Sequence, residues 1–238
     1  VDLFPAVDIR GGRVTHVRAG AASAASAYGD DPAAAVARLA AQGARWVHLV
    51  DLDRAYGTGS NRDVVRDVLR GAPIQVQVGG ALDAEDATGE MLSWGAARVV
   101  IGCAAAANEP ALVDRLVRRY GSERLAVGID ARDGMVAPRA GVAVAPIAAH
   151  LLVRTVQELG ARTVVYTDVS RDGTLAGLDV AGAQRLATPD LDLVVGGGVA
   201  SLADIDAVRS ARLAGAIVGR ALHEGRFTLA QALACAAG

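Results

Sequence analysis

The second half of this chain repeats the first. Sliding the 238 residues against themselves by about half their length aligns four blocks in the same order, with offsets between 117 and 122. Asp8-Ile-Arg-Gly-Gly12-Arg-Val14 matches Asp130-Ala-Arg-Asp-Gly134-Met-Val136, and Val47-His-Leu-Val-Asp51 matches Val164-Val-Tyr-Thr-Asp168. Val78-Gly79-Gly80-Ala81 matches Val195-Gly196-Gly197-Gly198, and the run ending in Gly102-Cys103-Ala104 matches the run ending in Gly219-Arg220-Ala221. One such match is ordinary chance. Four in one order indicate a duplicated half, so the whole must be an architecture that divides into two equivalent parts.

Short β-branched runs alternate with Ala/Leu/Arg stretches of helical period, the pattern of repeated βα units around a parallel sheet. Strands are expected over 3–7, 46–50, 74–78, 98–101, 125–129, 163–167, 191–195 and 214–218. Helices are expected over 31–42, 62–69, 84–94, 110–120, 145–159, 180–187, 202–209 and 228–236. Eight units in this length, four per half, predict a closed (β/α)8 barrel formed as a single domain over residues 1–238. An open doubly wound sheet is the competitor, and it more often stops at five or six strands.

Composition narrows the chemistry. The chain is 52% hydrophobic, enough for a sizeable core, and only 3% aromatic. All 24 basic residues are arginine. Without lysine there is no Schiff-base aldolase mechanism, no pyridoxal phosphate anchor and no Walker-type phosphate loop. A net charge of −2 with scattered arginines argues against nucleic acid as a partner and for small solutes. The stretch 140–153 is free of Asp, Glu and Arg charge but is broken by Pro146 and His150 and is too short to span a bilayer. Its first residues carry no export signal, and Cys103 and Cys235 have no metal or disulfide spacing, so a reducing cytoplasm and no membrane are expected.

In such a barrel the working face lies at the C-terminal ends of the strands, where the matched residues fall. Strands three and seven end in Gly79-Gly80 and Gly196-Gly197-Gly198; strands four and eight end in Gly102 and Gly219. Glycines let backbone N–H groups approach an anion, so each neighbouring pair of loops is a candidate phosphate cradle. The blander reading, tight turns, has about even odds for any one glycine taken alone. Two cradles on opposite sides of the mouth suit a bisphosphate. Between them stand Asp8, Asp51, Asp130 and Asp168, candidates for a general base and a general acid. A lone Asp after a strand is more often a cap, and Asp51-Leu52-Asp53 fits that role in part. His16, His48, His150 and His223 lack metal-site spacing, so no metal is expected. His48 reads as a pore or core residue, and His16 as a residue of the first loop able to face substrate.

An ordered set of motifs running nearly end to end, Pro5-Ala6-Val7-Asp8, Tyr28-Gly29-Asp30, His48-Leu-Val-Asp-Leu-Asp53, Val127-Gly-Ile-Asp130, Arg171-Asp-Gly-Thr174 and Gly215-Ala-Ile-Val-Gly-Arg-Ala-Leu222, resembles a known family. It is that of the histidine-biosynthesis isomerases that convert the aminoaldose ProFAR to the aminoketose PRFAR, with their actinobacterial relatives, the phosphoribosyl isomerases A. The resemblance implies an Amadori rearrangement without any cofactor. Asp8 would be the base at C2, and Asp130 or Asp168 the acid at the ring oxygen. Gly79, Gly80, Gly102 and Cys103 would hold one phosphate, and Gly173, Thr174, Gly197, Gly198, Gly219 and Arg220 the other. His16, Gly20, Asp51 and Arg139 would add substrate contacts, and a monomer is expected.

The chain also departs from the family pattern. A Gly-Gly-Gly-Ile-Arg run is usual where Gly79-Gly80-Ala81-Leu82-Asp83 stands, Thr is usual at Cys103, Arg at His16, and an Arg-Gly-Trp run at Arg139-Ala140-Gly141. An acid beside a phosphate weakens anion binding by like-charge repulsion. Two alternatives therefore accompany the ProFAR isomerase: an isomerase that takes phosphoribosyl anthranilate as well or instead, and a non-catalytic phosphosugar-binding barrel. The sister cyclase relies on a lysine in the first loop, which this chain lacks.

Overall fold

The structure is a computed structural model that describes residues 1–18, 21–23, 29–138 and 142–238; for 16–18 and 21–23 it describes the backbone path alone. The strands in chain order are β1 (Asp2–Arg10), β2 (Arg13–Arg18), β3 (Ala21–Ser23), β4 (Trp46–Asp51), β5 (Gln75–Gly79), β6 (Arg98–Ile101), β7 (Leu125–Arg132), β8 (Met135–Val136), β9 (Thr163–Asp168), β10 (Asp192–Gly196) and β11 (Gly215–Val218). Eight of them, β1, β4, β5, β6, β7, β9, β10 and β11, lie side by side in parallel. The ring closes where β11 pairs with β1, Asp2 opposite Gly215 through Pro5 opposite Val218. This is the (β/α)8 barrel expected from the repeat.

The strands are short Val- and Ile-rich runs because both of their faces are covered. Inside the ring, Phe4, Val100, Ala126, Val165 and Val194 pack with Trp46 and Ile217. Outside it, Leu3, Val7, Leu49, Val78, Val99, Val127, Val164 and Leu193 pack against helical residues such as Leu39, Val68, Leu116, Leu152 and Ile205. The helices are α1 (Pro32–Ala41), α2 (Leu52–Ala55), α3 (Arg62–Gly71), α4 (Glu85–Ser93), α5 (Cys103–Asn108), α6 (Pro110–Tyr120), α7 (Ala149–Glu158), α8 (Val180–Leu186), α9 (Leu202–Ser210), α10 (Arg220–His223) and α11 (Leu229–Ala237).

Local signals set their starts. Asp31 caps α1 by accepting the Ala33 N–H at 2.9 Å, with Pro32 in the first turn. Capping boxes open α9 (Ser201 with Asp204) and α11 (Thr228 with Gln231). α7 begins four residues later than the periodicity suggests. Ala148 forms a bridge with Met135, and the Ala149 N–H donates to the Gly134 carbonyl at 2.9 Å, so the chain before it is held extended.

Three features lie outside the simple alternation of strand and helix. The first loop is a β-ribbon of β2 and β3, β8 folds back on β7, and the short helices α2, α5 and α10 directly follow β4, β6 and β11. Two of these helices are led by Gly102 and Gly219. Among the described residues no helix is long and apolar enough to cross a membrane.

Candidate active site at the barrel mouth

The strand order, β1-β4-β5-β6-β7-β9-β10-β11 and back to β1, fixes the layout of the mouth. β1 and β7 are four strands apart either way round, so Asp8 and Asp130 face each other across the barrel. The glycine ends of β5 and β6 stand opposite those of β10 and β11, on the crossing diameter. One cavity joins all of these: Asp8, Asp130, Gly79, Gly80, Gly102, Cys103, Gly173, Gly197, Gly198, Gly219 and Arg220 all line it.

Backbone geometry accounts for two of the glycines. Gly80 has φ +120°, and a Cβ there would sit 2.6 Å from the Asp51 carbonyl oxygen. Gly198 has φ +97°, and its Cβ would sit 2.5 Å from the Gly177 carbonyl oxygen. No side chain fits at either, so bare backbone faces the cavity.

The four strand-end carboxylates divide into two kinds. Asp51, 4% exposed, is spent on its own loop: Oδ2 accepts the Asn61 N–H at 2.8 Å, and Oδ1 accepts Asn61 Nδ2 at 2.6 Å and the Arg54 N–H at 3.1 Å, capping α2. Asp168, its repeat partner, does the same. Its Oδ1 accepts the Ser170 N–H at 2.9 Å and Ser170 Oγ at 2.6 Å, while Arg171 Nε stands 3.3 Å from Oδ2. Neither lines the cavity, whereas Asp8 and Asp130 both do. Thr174 is also turned into its loop: its hydroxyl donates to the Arg171 carbonyl at 2.5 Å and accepts the Ala176 N–H at 3.2 Å.

The two glycine-rich ends are electrically unlike. At the β10/β11 end, Arg220 reaches over the mouth, with one terminal nitrogen donating to the Gly173 carbonyl at 2.5 Å and Nε to Glu224 at 2.8 Å. At the β5/β6 end, the Asp83 carboxylate accepts the Gly102 N–H at 2.9 Å. The amide expected to meet an anion already holds one. Ala81 sits at φ +51°, a costly angle for a residue with a Cβ, and its carbonyl accepts Arg54 Nε at 3.1 Å.

Cys103 is 4% exposed, and burial, followed by the nearby Asp130 carboxylate, pushes its thiol up to about 11. It is a neutral thiol at ordinary pH. His48 stands at the cavity lining, with Nδ1 3.0 Å from Gln77 Nε2. His16 lies on β2 opposite Ser23, with its backbone alone described, and Gly20, Arg139 and the Arg139-Ala140-Gly141 segment lie outside the described residues.

Sequence reasoning missed the brace beneath the first loop. Asp53 accepts the Gly11 N–H at 2.6 Å and Asn61 Nδ2 at 2.9 Å, and Asn61 Oδ1 accepts the Gly12 N–H at 2.7 Å. Those bonds, led by the one from Gly11, hold the Asp53 carboxyl below its usual value. The local signal was the crowding of Asp51, Asp53 and Asn61 after one strand. Among the described residues no group of three or more His, Cys, Asp and Glu side chains is placed to hold a metal ion.

Fold and cavity together define a duplicated (β/α)8 barrel whose mouth sets two facing carboxylates between two glycine-lined ends. The model of the histidine biosynthesis protein family matches residues 2–228, and the chain belongs to that family. It is 44% identical to a Thermus thermophilus protein over 233 residues, 97% of each chain. It is 41% identical to one from Geobacillus kaustophilus over 236 residues, 97% of this chain and 96% of the other. A Symbiobacterium thermophilum protein is also 41% identical, over 98% of this chain and 96% of its own. All three are named 1-(5-phosphoribosyl)-5-((5-phosphoribosylamino)methylideneamino)imidazole-4-carboxamide isomerase.

Proposed function

We propose that this protein is the isomerase its relatives are named for, converting the aminoaldose ProFAR to its aminoketose by a cofactor-free Amadori rearrangement. The observation that carries this reading is the facing pair Asp8 and Asp130 in one cavity between two glycine-lined ends. A two-ended phosphoribosyl substrate held by both ends would lie with its reacting ribosyl carbons between those carboxylates. Asp130 gives a proton to the ring oxygen as the C1–O bond breaks, and Asp8 takes the proton from C2. The resulting enolamine becomes the ketone by moving its hydroxyl proton away while C1 gains one, so no oxidant or reductant enters.

Asp130 is the acid in this reading, because Asp168 is held by Ser170 and Arg171 away from the cavity lining. Asp51 and Thr174 serve as loop braces. Gly197, Gly198 and Arg220 take one phosphate, and Gly80 and Gly102 the other. The working unit is read as a single-domain monomer. Two unpaired cysteines, Cys103 and Cys235, suit a reducing cytoplasm.

The test is to assay purified protein on ProFAR and, separately, on phosphoribosyl anthranilate, with Asp8→Asn as control. ProFAR turnover lost in Asp8→Asn supports the assignment. Turnover of neither substrate, or turnover indifferent to Asp8→Asn, overturns it.

A further inference from the structure

The barrel interior below the cavity holds polar side chains that the reaction has not yet used. Arg98, 8% exposed, lies inside the ring with its guanidinium 4.7 Å from the Trp46 ring centroid and 5.5 Å from that of Phe4. Burial holds its pKa below the usual arginine value, opposed by the Asp192 and Asp2 carboxylates at the far end of the barrel. Its Nε donates to Gln77 Oε1 at 2.7 Å, and a terminal nitrogen donates to the Thr163 hydroxyl at 3.1 Å. Gln77 is fully buried, and its Nε2 stands 3.0 Å from His48 Nδ1.

These contacts have only one consistent proton arrangement. A guanidinium has donors and no acceptor, so the Gln77 atom facing it must be the oxygen. The Gln77 amide nitrogen then faces His48 and must donate, so Nδ1 must accept. A neutral imidazole that accepts at Nδ1 carries its proton at Nε2. The opposite tautomer would turn the Gln77 amide round and set donor against donor at Arg98, leaving buried polar groups unpaired.

The register places His48 opposite Ala6 on β1, two residues below the Asp8–Val50 pair. His48 is thus beneath the proposed base, at the cavity lining.

We infer that Arg98 and Gln77 are positioning residues that lock His48 as a neutral Nε2–H donor at the floor of the cavity, directed to an oxygen acceptor of a bound phosphoribosyl substrate. The substrate class rests on the proposed function; the locked tautomer does not. Every member of the relay except His48 is fully or nearly fully buried, so the donor is set before any ligand arrives. Such preorganisation costs no rearrangement during reaction.

The test separates the two layers. Protein with 15N-labelled histidine gives long-range proton–nitrogen spectra at pH 7.5 in which the tautomer of each ring is read directly. The His48 signals among the four histidines are identified by their loss in His48→Asn. Wild type should show a protonated Nε2 and a bare Nδ1; a proton on Nδ1 overturns the inference whatever the enzyme turns over. Gln77→Glu keeps the shape and gives Arg98 a carboxylate, but offers His48 only acceptors, so the ring should invert to Nδ1–H. With that inversion kcat/KM for ProFAR should fall about tenfold, the worth of one neutral hydrogen bond, while Gln77→Glu remains folded by its thermal transition. Inversion with kcat/KM within twofold of wild type overturns the role of the donor. Wild type without turnover overturns the proposed function alone, and the spectra still decide the relay.

Discussion

Replacing Asp83 by Asn should tighten the binding of a bisphosphate substrate. Asp83 Oδ1 lies 2.9 Å from the Gly102 nitrogen, the place a phosphate oxygen must take to accept that same N–H. A phosphate entering there displaces the carboxylate by about one oxygen diameter and leaves it some 4 Å away. Two unit charges at about 4 Å repel by about 1 kcal/mol in water, so a phosphate dianion meets about 2 kcal/mol. Asp83 is exposed, so the water limit applies and salt removes part of the effect. The remainder, about 1–2 kcal/mol, is roughly five- to thirtyfold in affinity. Asp83→Asn removes the charge and keeps the shape. In steady-state assays at low ionic strength, KM for ProFAR should fall about tenfold with kcat within about twofold, and the gain should shrink when salt is raised to about 0.5 M. A KM that is unchanged or higher at low salt would refute the placement of a phosphate at Gly102.

Other outcomes follow from the same geometry. Asp130→Asn should reduce kcat by about a hundredfold or more, the usual weight of a general acid, whereas Asp168→Asn should act mainly on loop order and thermal stability; rate assays beside thermal melts separate the two. Cys103, with its thiol pushed up to about 11 and 4% exposed, should resist iodoacetamide at pH 7.5 in the folded protein, with label appearing there only after unfolding. Asn61→Ala should destabilise the fold by about 2–3 kcal/mol in urea titrations, since it leaves the buried Asp51 carboxylate without its side-chain amide donor. The Asp53 carboxyl lies below its ordinary value of 3.8 in the fold, so its contribution is complete above the unfolded value and is lost as pH falls through the folded one. Acid melts of Asp53→Asn should accordingly show a smaller loss of stability below pH about 4 than wild type.

The barrel was legible because its cause is repetitive. Residues such as Val47, Leu49, Val76 and Val78 recur at strand period and bury against helices whose own apolar rows recur at helical period. The facing glycine ends were legible for the same reason, since Gly80 and Gly197 occupy equivalent turns. What periodicity could not reveal is where a side chain turns once the strand has ended. Asp8, Asp51, Asp130 and Asp168 look alike in sequence; that Asn61 and Ser170 donate to Asp51 and Asp168 shows only once the loops are folded. The occupation of the Gly102 amide by Asp83 was likewise hidden, because it joins two loops 19 residues apart. The interior relay had a visible trace: Gln77 and Arg98 interrupt otherwise apolar runs, yet only the closed ring brings them together.

A scaffold that is nearly its own image after half a turn gives a two-ended guest no reason to choose which way round to lie. In the reversed pose the carbon that must lose a proton would meet Asp130 and the ring oxygen would meet Asp8. The described loops make the two rims unlike, with Asp83 against Gly102 on one and Arg220, paired with Glu224, above Gly173 on the other. An end that is to meet the Gly102 amide must displace the Asp83 carboxylate, so the two rims do not receive a phosphate alike. In a molecule made by doubling, the direction of approach comes from positions where the two copies no longer agree.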